Sequence, residues 1–127
     1  MTDGKFMDNM LSSEMIEYEG PLTELDAWLD ANTGSLYKDN RLAQDWGRVA
    51  KIAEECGEVI DAYIRYTGQN PRKHQGGSTR EVIDELCDVA ITALCAIQHF
   101  TKSESGTWSY FDLRMGFLID RAHNTQG

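Results

Sequence analysis

The sequence predicts an all-α protein, a single helical domain spanning residues 1–127 and built as an antiparallel bundle. Three observations carry that prediction. Apolar residues recur at three- and four-residue intervals along most of the chain, no stretch alternates with the period of two that marks a half-buried strand, and the periodic stretches are bounded by Gly, Pro, Asn or Ser. At 127 residues the chain is long enough to bury a core without disulfide or metal staples.

Residues 1–20 are polar with scattered methionines (Met1, Met7, Met10, Met15) and read as a mobile arm or a short extra helix. Gly20-Pro21 then punctuates the chain, with Pro21 placed where a first-turn proline is tolerated, and Leu22, Leu25, Trp28 and Leu29 follow at helical spacing. The first helix therefore runs from about Pro21 to Ala31. Asn32-Thr33-Gly34-Ser35 ends it, and the longest periodic segment begins near Arg41. Leu42, Trp46, Val49, Ala53, Cys56, Ile60 and Tyr63 step by four and three, an apolar seam expected to pack against other helices. Lys51, Glu55, Glu58 and Ala62 fall opposite that seam. Thr67-Gly68-Gln69-Asn70-Pro71 supplies the stop near Tyr66.

The loop from Thr67 to Gly77 is polar and basic, with Arg72, Lys73 and His74 in a row. Ser78-Thr79-Arg80-Glu81 matches a capping box and opens the third helix, whose apolar face runs from Val82 to Phe100. From Val89 through Gln98 that helix has no charged residue, and a helix that is apolar or small all round is buried all round. In so short a protein this predicts a bundle completed by dimerisation. Lys102 to Gly106 reads as a linker and Thr107 to Asn124 as a last helix interrupted by Gly116.

Charge and composition narrow the function. Twenty-one acidic against twelve basic side chains leave a formal charge of -9, which repels a phosphate backbone and argues against polymeric nucleic acid as partner. No window approaches the roughly 20 apolar residues that span a bilayer, and the first residues lack a secretory apolar run, so no membrane partner and a cytoplasmic location are expected. Cys56, Cys87 and Cys95 lack paired metal spacing and are expected as reduced, buried thiols.

The chemistry gathers in two acidic stretches. Glu54, Glu55, Glu58 and Asp61 are four acids within eight residues, and Glu81, Asp84, Glu85 and Asp88 are four more. Glu55 and Glu58 share one helix face, as do Glu85 and Asp88 on another. Such stretches also occur as solvated faces laced with pairs like Lys51 with Glu55 and Asp61 with Arg65. The local excess of like charge, however, is repulsive unless a cation neutralises it. Magnesium takes oxygen ligands and is held by few carboxylates together with substrate phosphates, so these four could serve it. Histidine offers little: His74 and His99 stand alone, Asp120-x-x-His123 is a faint metal-like pair, and no glutamate has a histidine three residues on, which excludes the di-iron bundle pattern.

Glu54-Glu55-Cys56-Gly57-Glu58 followed by Glu85-Leu86-Cys87-Asp88 resembles the Glu-Glu-x-x-Glu and Glu-x-x-Asp signature of MazG-like, all-α nucleoside triphosphate pyrophosphohydrolases. Lys51-Ile52-Ala53 before the first motif and Val89-Ala90 after the second extend the likeness, which covers about Leu42 to Phe100. The resemblance implies an enzyme in which Glu55, Glu58, Glu85 and Asp88 hold magnesium, with manganese a possible substitute. Water then attacks a bound nucleoside triphosphate to release the monophosphate and pyrophosphate, a reaction suited to housekeeping of the nucleotide pool. Glu54, Glu55 and Glu58 form the catalytic group, with Glu54 or Glu58 orienting the water or taking its proton.

Lys51, one turn before Glu55, and Arg72 and Lys73 in the basic loop are the expected triphosphate contacts. Trp46 is the expected base platform, with core packing its competing role and Trp28 and Trp108 as alternatives. A homodimer or homotetramer is expected. Two rival readings remain at this level: a phosphoribosyl-ATP pyrophosphatase-like enzyme, and a catalytically silent helical dimerisation module.

Overall fold

The computed structural model describes residues 20–34, 36–72 and 76–125. Apart from Gly20, the N-terminal arm or extra helix expected from the sequence lies outside these residues, as do Lys73 and His74. The described residues form four helices and no strand: α1 (Pro21–Asn32), α2 (Arg41–Thr67), α3 (Thr79–Thr101) and α4 (Glu104–Thr125). None of these helices is long and apolar enough to cross a membrane.

Local chemistry accounts for the helix ends. The Asn40 side chain accepts from the Ala43 amide at 3.0 Å and opens α2. Gly68, in the left-handed region at φ 69°, closes it by donating its amide to the Ile64 carbonyl at 2.9 Å. Ser78 accepts from the Glu81 amide at 3.2 Å, as half of a capping box requires, while the Glu81 carboxylate lies 3.6 Å from Arg65 of α2. The fourth helix starts three residues before the predicted Thr107. Ser103 caps it by accepting from the Gly106 amide at 2.9 Å, so the supposed linker is the first turn of a helix.

α1 is capped from a distance. Gly20 stands at its N-cap with no side chain to offer, and the Glu104 carboxylate accepts instead from the Thr23 amide at 2.7 Å and the Thr23 hydroxyl at 3.0 Å. A Cβ on residue 20 would come within 2.7 Å of Glu104, so glycine is what lets the carboxylate approach. The same carboxylate accepts from the Trp108 indole at 2.6 Å. Behind it the buried Thr107 hydroxyl donates to Gln98 at 2.7 Å, joining α1, α3 and α4.

α2 and α3 form the largest interface, running antiparallel: Asp45 faces His99, Arg48 reaches the Cys95 carbonyl, Glu58 meets Glu85, and Arg65 meets Glu81. The face of α2 turned to α3 carries Arg48, Glu55 and Ala62. The apolar seam points the other way: Leu42 is 80 % exposed, Trp46 68 % and Ile60 60 %. The expected packing of the seam against other helices is not met by any helix among the described residues. Periodicity shows that a face is apolar; which partner covers it lies outside the spacing. Among the described hydrophobic residues only Leu22, Ala62, Cys95 and Ala96 are buried. Cys56 and Cys87 are exposed, against the expectation of three buried thiols, because both occupy outward positions of α2 and α3.

Candidate metal centre

The antiparallel register brings the two acidic stretches together. One carboxylate oxygen from each of Glu55, Glu58 and Glu85 lies within 4.8 Å of the others. Glu55 is buried against α3, Glu85 is half-buried and Glu58 is exposed, so the cluster sits at the mouth of the helix interface. Glu85 Oε2 is buried and has no hydrogen-bond partner. A buried oxygen of this kind normally finds a donor, and one that lacks it is costly to the fold. The neighbouring Glu55 carboxylate holds the Glu58 carboxyl above its ordinary value, with smaller pushes from Glu85 and Glu54.

Asp88 is exposed, one turn beyond Glu85 on α3, and is not among the three converging acids. The register places it at the level of Glu55. Lys51 is the nearest cation, 3.3 Å from Glu55 and 3.1 Å from Glu54, and its hydrogen bond to Glu54 holds the ammonium above its ordinary value. Glu54 is otherwise exposed.

Lys51 also lines a cavity of about 350 Å³ between α1, α2 and α3, walled by Leu25, Trp28, Leu29, Tyr37 and Ile91. That volume is in the range of small-molecule sites. Acid cluster and cavity therefore adjoin along one face of α2, with Lys51 at their border. Trp46 is nine residues before Glu55, which on a 3.6-residue turn is the opposite face, and it does not line the cavity. Trp28 does. Arg72 is exposed in the turn after α2, its amide donating to Asn70 at 3.0 Å.

A second ionic cluster escaped the sequence reading. Asp26 and Asp30 of α1 and His99 of α3 converge within the same 4.8 Å limit, and Asp26 and His99 are buried. Here cations are already in place. Arg48 lies 2.8 Å from Asp26 and 2.9 Å from Asp30, and also donates to the Asp26 carbonyl at 3.1 Å. Lys102 lies 3.2 Å from Asp26, and His99 Nε2 lies 2.7 Å from Asp45. Arg48 thus pins α1 and α3 onto α2 at the floor of the cavity. Its partners sit 22, 18 and 47 residues away in sequence, beyond the reach of helical spacing. Cys95, buried beside it, has its thiol pushed up by desolvation.

The donor set at Glu55, Glu58 and Glu85 fits a hard divalent cation: all ligands are oxygens, one is buried without a donor, and the Glu58 carboxyl is pushed up by its acidic neighbour Glu55. The cluster at Asp26 does not, because Arg48 and Lys102 hold the place an ion would take. The site thus defines an all-helical protein with an acidic centre between two antiparallel helices. Compared with family models, with curated proteins and with solved structures, the chain finds no match.

Proposed function

We propose that the chain is a magnesium-dependent nucleoside triphosphate pyrophosphohydrolase of the MazG-like kind its motifs resemble, with manganese able to substitute. The observation that carries this reading is the convergence of Glu55, Glu58 and Glu85 around an unpartnered buried oxygen, beside a cavity into which Lys51 reaches. Glu55, Glu58 and Glu85 would hold the metal, joined by Asp88 from the next turn of α3. A divalent ion bound there supplies charge neutralisation to the phosphates and acidifies a water molecule.

The chain's own groups do the rest. Lys51, now shared between Glu54 and Glu55, donates to phosphate oxygens when substrate arrives, assisted by Arg72 and Lys73 from the basic loop. Glu54, exposed and 3.1 Å from Lys51 before substrate arrives, would orient the attacking water or accept its proton. The apolar cavity takes the base, with Trp28 and Tyr37 as the aromatic surfaces in place of Trp46. No covalent intermediate is required.

The test is a panel of standard and modified nucleoside triphosphates, with phosphoribosyl-ATP among them, assayed for pyrophosphate release with magnesium or manganese. The expected result is metal-dependent release that Glu55→Gln and Glu85→Gln each abolish while far-ultraviolet circular dichroism stays unchanged. Full turnover in both variants would remove the assignment.

A further inference from the structure

The cavity beside the acid cluster has apolar walls and two polar ends on α2. Lys51 stands at the end toward the metal centre. Gln44 stands at the other, seven residues earlier on the same helix face and about 10.5 Å away along the axis. That span suits a nucleoside whose 5′ carbon lies at Lys51 and whose base reaches Gln44. Between the two, Gly47 lines the wall with no side chain, where a Cβ would come within 3.9 Å of the Tyr37 ring. Glycine weakens a helix interior, and here it keeps a flat strip open between α2 and an aromatic ring.

Hydrogen bonding at the Gln44 end is one-sided. Gln44 Nε2 donates to the Tyr37 carbonyl at 3.0 Å. A main-chain carbonyl can only accept, so the sense of the amide is fixed, and its own oxygen, to which no described residue donates, is left for a ligand. Thr33 lines the same cavity; its hydroxyl donates to the Leu29 carbonyl at 2.6 Å and keeps its lone pairs. Asp30, a third lining residue, accepts from Arg48 at 2.9 Å and has lone pairs to spare. The strong donor on this floor, Arg48, is committed to Asp26, Asp30 and the Cys95 carbonyl. The Tyr37 hydroxyl can turn to either role.

We propose that Gln44 reads the base, and that it selects nucleoside triphosphates whose base carries an amino group at the edge remote from the sugar, as cytosine and adenine do. That amino group donates to Gln44 Oε1, with Thr33 and Asp30 as further acceptors. Uracil and hypoxanthine carry an oxo group at the same position, which sets oxygen against oxygen and leaves both without a donor. The inference rests on the nucleotide reading of the cavity and adds to it the residue and the atom that choose the substrate.

The test measures pyrophosphate release by the full chain with magnesium, on cytidine against uridine triphosphate and on adenosine against inosine triphosphate. Within each pair the nucleotides differ only at that group and the ring nitrogen beside it. The amino member should have the higher kcat/KM by about tenfold or more. Gln44→Met should bring each ratio to within about twofold, through a raised KM for the amino member. Gln44→Arg, which keeps a donor for the Tyr37 carbonyl and offers another to the base, should reverse the preference. A role in packing alone would slow both members alike and leave the ratio unmoved. Calorimetry with the α,β-methylene analogues of the same four nucleotides reads binding without turnover. Turnover indifferent to the amino group, or a preference that survives Gln44→Met, overturns the inference and leaves the catalytic reading standing. Amino-selective binding that Gln44→Met abolishes, with no pyrophosphate released from any of the four, would uphold the inference and remove the catalytic reading. Analogues bound without selection, or not bound, in a chain that turns over none of them would remove both.

Discussion

The two ionic clusters among the described residues meet the same face of α2, at Arg48 and at Glu55 about two turns on, and solve the same problem in different ways. Around Asp26 and Asp30 the negative charge is matched on the spot by Arg48 and Lys102 and His99 is held by Asp45; Asp26 Oδ1 and His99 Nδ1 are also buried without a hydrogen bond, but Asp26 Oδ1 has the Arg48 guanidinium 2.8 Å away, where Glu85 Oε2 has no cation among the described residues. Around Glu55, Glu58 and Glu85 it is matched only in part: Lys51 touches Glu55, the Glu58 carboxyl is held above its ordinary value by Glu55, and an oxygen of Glu85 is buried without a donor. The first cluster is a structural joint. The second keeps an excess of negative charge at the mouth of the helix interface, the charge that the proposed divalent ion would neutralise.

The sharpest way to break that contrast is to remove the joint's cation. Arg48→Met leaves Asp26 buried beside a neutral side chain, and loss of one partner of a buried pair costs about 3–5 kcal/mol. Urea unfolding should show a loss of that size, and magnesium should not restore it. Glu85→Gln should do the reverse. Stability without metal should hold or rise, while magnesium affinity by calorimetry should fall by more than the roughly 10- to 100-fold that altering an outer partner of a metal ligand costs. Equal magnesium affinity in this variant and the parent would erase the distinction between the clusters.

Acidity offers a finer test. The Glu58 carboxyl is raised in the folded chain, so the folded state holds its proton more tightly than the unfolded one. Without a divalent ion, the stability this proton confers is fully present below the ordinary glutamate value and is lost as pH rises through the raised one. Magnesium should offset the loss, bind more weakly as pH falls through the same window, and release a proton on binding. Melting temperature against pH, with and without magnesium, reads all of this; Glu58→Gln should flatten the metal-free curve. The smallest expected effect lies at the edge of the joint. Asp45→Asn keeps a hydrogen-bond partner for His99 and should cost about 1 kcal/mol in the same unfolding measurement, insensitive to magnesium.

Much of this architecture is legible residue by residue. The helix class, the bounds of α2 and α3 to within a residue or so, and the pairing of Glu55 with Glu58 on one face all follow from spacing and caps. The start of α4 is legible too, in Ser103 standing as a cap ahead of Glu104. Trp46 is the instructive case. Its place on an apolar seam is plain in the letters, but that seam faces outward, and the aromatic side chains that line the cavity with Lys51 are Trp28 and Tyr37.

What the chain determined alone is what contacts of three or four residues determine: helices, their ends, and which acids share a face. The tertiary structure decided the rest. It set Glu85 against Glu58 across an antiparallel pair, gave Arg48 three distant partners, and lent Glu104 to the bare N-terminus of α1. The reason is physical. Helical periodicity records the character of a face through local geometry, whereas the identity of the surface that meets it depends on how whole helices dock, a choice summed over many residues and visible in none of them singly.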